Sequence, residues 1–141
     1  MFEVYIHVPF CLRRCGYCDF NTYTAVDLGG GASRGNYAAM TIREMRLVRD
    51  WQERHGIAEP PASTVFFGGG TPTTLSAQQL KRVLFAVEKN FDLSCLREYT
   101  VEAGRPDTVT AEKLNTLKAA GVGRISINPQ TFQDSVLQAI G

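Results

Sequence analysis

Four short runs rich in β-branched and aromatic residues punctuate the chain, and each leads through a loop into a helix-spaced segment. The runs are Phe2–Val8, Thr64–Phe67, Glu98–Ala103 and Arg124–Asn128. Pro9 ends the first, because proline offers no backbone donor to a ladder. Asn36 stands where it can cap a helix over Tyr37–Arg54, in which Met40, Ile42, Met45, Leu47, Val48 and Trp51 fit helical spacing. Ser76 caps a second helix, Ala77–Phe91, with Leu80, Val83, Leu84 and Val87 on one face. Thr110 caps a third, Ala111–Ala120, which Gly121 stops. A fourth helix begins near Asp134. Asn21–Arg34 holds Gly29-Gly30-Gly31 and no apolar period, so it reads as a flexible loop. Strand, loop and helix in repeated order is the signature of βαβ units on a parallel sheet. The fold class is therefore α/β, and ligands of such sheets gather at the C-terminal ends of the strands.

Two loops at those ends carry chemistry. Cys11, Cys15 and Cys18 fall within eight residues, immediately after the first strand. Three is an odd number, and a bridge across so short a loop closes with poor geometry, so disulfides do not explain the run. A tight group of thiolates suits an iron–sulfur cluster, and three thiolates on a [4Fe–4S] cube leave one iron open. The alternative donor set is a structural zinc held by the three cysteines and His7, although zinc modules usually show a second short-spaced ligand pair. The second loop, Gly68-Gly69-Gly70-Thr71-Pro72, follows the second strand. Successive glycines there permit close backbone approach to a ligand, and their N–H groups can bind an anion. Cys95 stands alone and reads as a packing or incidental cysteine.

The strands are unusually polar for a parallel sheet, which is normally apolar on both faces. Tyr5 and His7 share one face of the first strand, Glu98, Thr100 and Glu102 one face of the third, and Arg124, Ser126 and Asn128 one face of the fourth. Pointing the same way, they would line a polar interior. The 141 residues suit one domain, and a net charge of +1 gives no electrostatic case for nucleic acid. No apolar run approaches the roughly 20 residues that span a bilayer. The first residues read as a strand rather than an export signal, so the expected compartment is the cytoplasm, where thiols stay reduced.

The Cys-x3-Cys-x2-Cys spacing, with Tyr17 before the last cysteine, resembles the radical S-adenosylmethionine (SAM) enzymes. Tyr5–Cys11, Phe67–Thr73 and Arg124–Thr131 are similar to segments of the oxygen-independent coproporphyrinogen III oxidase family, which also contains haem chaperones. The resemblance covers essentially the whole chain. It implies a parallel-stranded partial (β/α)6 barrel, with residues 1–141 as the N-terminal part of a radical SAM core truncated to about its first three and a half βα units. It implies that Cys11, Cys15 and Cys18 ligate a [4Fe–4S] cluster. Tyr5, Gly69, Gly70, Thr71 and Glu102 stand where the family contacts SAM, and Tyr17 and Gln130 where the oxidases contact it or a second SAM. The implied reaction generates a 5′-deoxyadenosyl radical for oxidative decarboxylation of coproporphyrinogen propionates to vinyl groups, with flavodoxin or ferredoxin as electron donor.

Two departures refine the branch. Phe20 stands where the most studied oxidases carry a further cysteine, and Cys18-Asp19-Phe20-Asn21 looks like the haem-chaperone branch. Glu98–Thr108 and Ile127–Thr131 look like a coproporphyrinogen dehydrogenase branch of Gram-positive bacteria, which the longer signatures favour. The substrate-covering part of the family lies beyond these residues, so the 141-residue polypeptide alone is expected not to turn over coproporphyrinogen.

Overall fold

The computed structural model describes residues 2–140. Its main sheet has four strands: β1 (Phe2–Val8), β4 (Ala62–Gly69), β5 (Glu98–Glu102) and β6 (Arg124–Ser126), lying side by side in that order. Every neighbouring pair is parallel. Between them run α1 (Tyr37–Arg54), α2 (Ala77–Asn90) and α3 (Ala111–Ala119), and α4 (Asp134–Ile140) follows β6. α2 packs against both α1 and α3, so the three connecting helices form one layer on one side of the sheet. The expected α/β class and parallel topology are present. Among the described residues, no helix is long and apolar enough to cross a membrane.

The core lies between the sheet and that helix layer. Val4, Ile6 and Val8 from β1, Val65 and Phe67 from β4, and Tyr99 and Val101 from β5 meet Leu80, Val83, Leu84 and Val87 of α2. The α2 residues repeat at helical spacing and the strand residues alternate, so each element presents one apolar face. α2 starts at a reciprocal capping box: Ser76 Oγ accepts from the Gln79 N–H at 3.2 Å, and Gln79 Oε1 accepts from the Ser76 N–H at 3.0 Å. Tyr37 secures the edge strand, its hydroxyl donating to the His7 carbonyl at 2.6 Å.

Three expectations need correction. Asn21–Arg34 is not a featureless loop: β2 (Asp27–Gly29) and β3 (Ala32–Ser33) pair antiparallel in it. Its three glycines all take positive φ, making the run a tight reversal rather than a flexible spacer. Asn36 makes no side-chain bond into α1; its amide donates to the Gly31 carbonyl and its Oδ1 accepts from the Ser33 N–H, so it braces this hairpin instead. Cys95 is exposed, which removes the packing half of its reading and leaves it incidental. Three strands also differ in length from their sequence limits. β4 is longer, β5 ends one residue early at Glu102, and β6 ends at Ser126 because the chain turns at Asn128.

Leu80 is fully buried at the centre of the core. Leu80→Ala should lower the unfolding free energy by about 2–5 kcal/mol, through lost burial and the cavity left behind. Urea denaturation monitored by circular dichroism measures this.

Candidate metal and cofactor site

The cysteine loop is pinched at its base. The Cys11 N–H donates to the Tyr23 carbonyl at 3.0 Å, and the Tyr23 N–H to the Pro9 carbonyl at 2.7 Å. Within the loop the Cys18 N–H donates to the Cys15 carbonyl at 3.0 Å, and Arg14 donates to the Cys18 carbonyl at 3.2 Å. All three thiols are free and half-buried.

The glycine loop is laced directly to this loop. The Gly70 N–H donates to the Val8 carbonyl and the Thr71 N–H to the Phe10 carbonyl, each at 2.8 Å. A Cβ on Gly70 would stand 2.7 Å from the Phe10 carbonyl oxygen and 3.0 Å from Cys11 Sγ, so only glycine fits. Gly69 has φ +106°, and a Cβ there would strike the His7 ring. The buried Thr71 hydroxyl lies 3.6 Å from Cys11 Sγ.

Cys11, Cys15, Cys18, Tyr17, Gly69, Gly70, Thr71, Glu102 and Gln130 all line one open cleft of about 470 Å³. Tyr5 does not. It sits on the same face of β1 as His7, with its hydroxyl 3.2 Å from His7 Nδ1 and its ring stacked on Phe66. The polar strand faces do point one way. Tyr5 pairs with Phe66, Phe66 with Thr100 and Thr100 with Arg124, on the side away from the helices. Glu102 stands at the cleft end of that face. Burial raises its carboxyl above the ordinary range, partly offset by a hydrogen bond from the Gly69 backbone. Gln130 is the one described non-glycine residue with positive φ, 64°, and its N–H bonds Asn128 Oδ1 at 2.9 Å. A residue held in that region marks local strain, which concentrates at functional sites.

Sequence reasoning passed over Arg105 and Thr22. Arg105 donates to Cys15 Sγ at 2.6 Å across ninety residues of chain, and its position just past the end of β5 was the available signal. The Thr22 hydroxyl is buried beside the cleft without a hydrogen-bond partner.

Three free soft thiols, a cradle that any side chain at position 70 would fill, and an orphaned buried hydroxyl suit a thiolate-held cluster and a small polar cosubstrate. A single zinc fits less well. Among the described residues no three His, Cys, Asp or Glu side chains converge on one ion position. His7 is also engaged elsewhere: Nε2 donates to the Asn21 carbonyl at 3.0 Å, which leaves Nδ1 to accept from Tyr5.

Helices on one side of an ordered parallel sheet, with a thiol loop and a glycine loop at its C-terminal edge, define a barrel-type α/β protein with a thiol-lined cleft. The chain belongs to the Radical SAM superfamily, whose model matches residues 5–141. Members of this superfamily use a [4Fe–4S] cluster and SAM. The chain is 40% identical over 141 residues to the oxygen-independent coproporphyrinogen-III oxidase-like protein HemZ of Bacillus subtilis, covering 99% of this chain and 27% of that protein. It is 39% identical to the heme chaperone HemW of the same organism, covering 100% of this chain and 35% of HemW. The solved structure of Escherichia coli coproporphyrinogen III oxidase (HemN), a radical SAM enzyme, superposes with a TM-score of 0.77 at 25% identity, over 98% of this chain and 30% of that one. The chain thus spans about a third or less of these relatives.

Two measurements follow from this geometry. Gly70→Ala should displace the Phe10–Cys11 backbone and cut the iron retained after anaerobic reconstitution at least several-fold. Gly123→Ala, outside the cleft and where a Cβ meets nothing within 4 Å, should leave it unchanged. Glu102→Gln should stabilise the fold at pH 7. A carboxyl whose folded pKa is raised contributes stability below its unfolded pKa and loses it as pH rises through the folded value. The variant's advantage should therefore vanish below about pH 4, near the ordinary carboxyl range, in urea titrations at both pH values.

Proposed function

We propose that residues 1–141 form the N-terminal, cofactor-holding part of a radical SAM core domain acting on coproporphyrinogen III. The observation that carries this reading is the gathering of three free thiols, the glycine cradle and Glu102 in one cleft at the C-terminal strand ends. Cys11, Cys15 and Cys18 hold the cluster. Gly69, Gly70 and Thr71 line the cleft where the methionyl end of SAM would lie, and Gly70, having no side chain, lets this loop close onto Phe10 and Cys11. Glu102 accepts hydrogen bonds from a cationic amine or a ribose. Gln130, Tyr17 and Tyr5 complete the cosubstrate's surroundings, Tyr5 from the row beneath the cleft. When bound, cluster and SAM together supply a carbon-centred radical able to take hydrogen from a propionate side chain. The 40% identity with HemZ and the Glu98–Thr108 signature support oxidative decarboxylation, fed by a flavodoxin- or ferredoxin-type donor in a thiol-reducing cytoplasm.

A second reading, haem binding and delivery on the same scaffold, draws support from the 39% identity with HemW and from Phe20 in the cluster loop. Anaerobic reconstitution with iron and sulfide tests the shared part. About four irons per chain are expected, with an electron paramagnetic resonance spectrum that SAM alters. Cys15→Ala should lose the iron and Cys95→Ala keep it. A colourless chain binding one zinc would overturn the reading. Stoichiometric haem binding, seen as a Soret shift, would favour the chaperone branch.

A further inference from the structure

We infer that Arg105 is a positioning residue that sets the cluster's reduction potential through Cys15; this rests on the cluster assignment above. Arg105 Nη2 stands 2.6 Å from Cys15 Sγ. Arg105 lines the cleft, yet among the described residues the ion pairs are Arg49–Glu59 and Arg124–Glu98, so its charge faces the sulfur rather than a carboxylate.

The turn carrying Arg105 is fixed before any ligand arrives. Its backbone is extended, as the residue before a proline requires, and a 3-10 turn over Pro106–Thr108 follows. The Arg105 carbonyl accepts from the Thr108 N–H at 3.0 Å and from the Thr108 hydroxyl at 2.7 Å. With its proton so placed, Thr108 Oγ1 accepts from the Thr73 hydroxyl at 2.6 Å. Lys113 Nζ then donates to the carbonyls of Thr73 at 2.6 Å and Thr108 at 2.8 Å. The loops after β4 and β5 are thus locked together, and the guanidinium is aimed across the cleft at the loop after β1.

One-electron reduction by an external low-potential donor adds one negative charge to the cluster and its thiolates. No bond is made or broken. A permanent cation bonded to one of those sulfurs stabilises the added charge and raises the potential. Dithionite-poised redox titration of the reconstituted chain, followed by electron paramagnetic resonance without SAM, measures this. Arg105→Met should lower the reduction equilibrium constant about tenfold or more, about 59 mV for one electron. Arg105→Lys, which keeps the charge, should shift it less. Arg13→Met, a charge change at a cleft residue making no hydrogen bond to a sulfur, should also shift it less. A midpoint equal to wild type in Arg105→Met, or an equal shift in Arg13→Met, would overturn the inference. So would an unchanged SAM-free midpoint with weakened SAM binding, which would assign Arg105 to the cosubstrate's carboxylate. A wild-type chain that takes up no cluster would instead sink the reading beneath it.

Discussion

Two hydrogen bonds beyond the end of a strand pair hold the site together. The bonds from Gly70 N–H to Val8 and from Thr71 N–H to Phe10 continue the β1–β4 ladder past Gly69 into both loops. The two loops meet so closely there that a Cβ at position 70 would collide with the Phe10 carbonyl oxygen and Cys11 Sγ. The place of Cys11 is inherited from sheet register. Slipping β1 by one residue would turn Val4, Ile6 and Val8 out of the core and bring Tyr5 and His7 into it. All three aliphatic residues are at most 6% exposed, so the penalty for slippage is large. An apolar alternation on one face of β1 therefore fixes a thiol at its end.

The rest of the cleft is held with unequal firmness. Between the loops after β4 and β5, both hydroxyls of the Thr73–Thr108–Lys113 network donate to an acceptor, and the Lys113 ammonium holds two carbonyls. A hydrogen-bonded network of this kind, anchored on two buried threonines, rigidifies loops that would ordinarily be the mobile part of the fold. Burial lowers the Lys113 pKa, yet its ammonium keeps two carbonyl partners. Past β6 the support is local. Gln130 holds its left-handed φ against two contacts with Asn128, at 2.9 and 3.4 Å. The cleft's groups after β4 and β5 are thus fixed in place, whereas its Gln130 side rests on a strained turn.

What the sequence disclosed follows from which forces are local. Helix α2 was legible because cap, period and apolar face coincide within a few residues from Ser76 onward. The cysteine and glycine loops were legible because thiols and glycines at strand ends have few other uses. The β2–β3 hairpin was hidden because its strands are too short to show alternation, leaving three glycines that look like slack. Asn36 misled because an amide before a helix bonds backward as readily as forward. For Arg105 only its place past the end of β5 was visible, and its contact was not. Its partner lies ninety residues away, and only the parallel pairing of β1, β4 and β5 brings the two loops to one edge. The same limit applies to Tyr5: alternation gave its face, but not its height below the cleft.

The polar face of the sheet argues for a barrel-type arrangement over a doubly wound one. A doubly wound sheet carries helices on both faces and needs apolar residues on both. Here the face opposite the helix layer carries Tyr5, Phe66, Thr100 and Arg124 in one paired row, and the Glu98–Arg124 ion pair at 2.8 Å. Covering that row with a second helix layer would desolvate the pair, a cost that its mutual attraction does not reliably offset. Glu102 makes the same point from the other side, since partial burial already raises its carboxyl. A face that keeps two acids and an arginine in partial or full reach of water is suited to enclose a polar cosubstrate, and the apolar alternation behind it supplies the stability that such a face cannot.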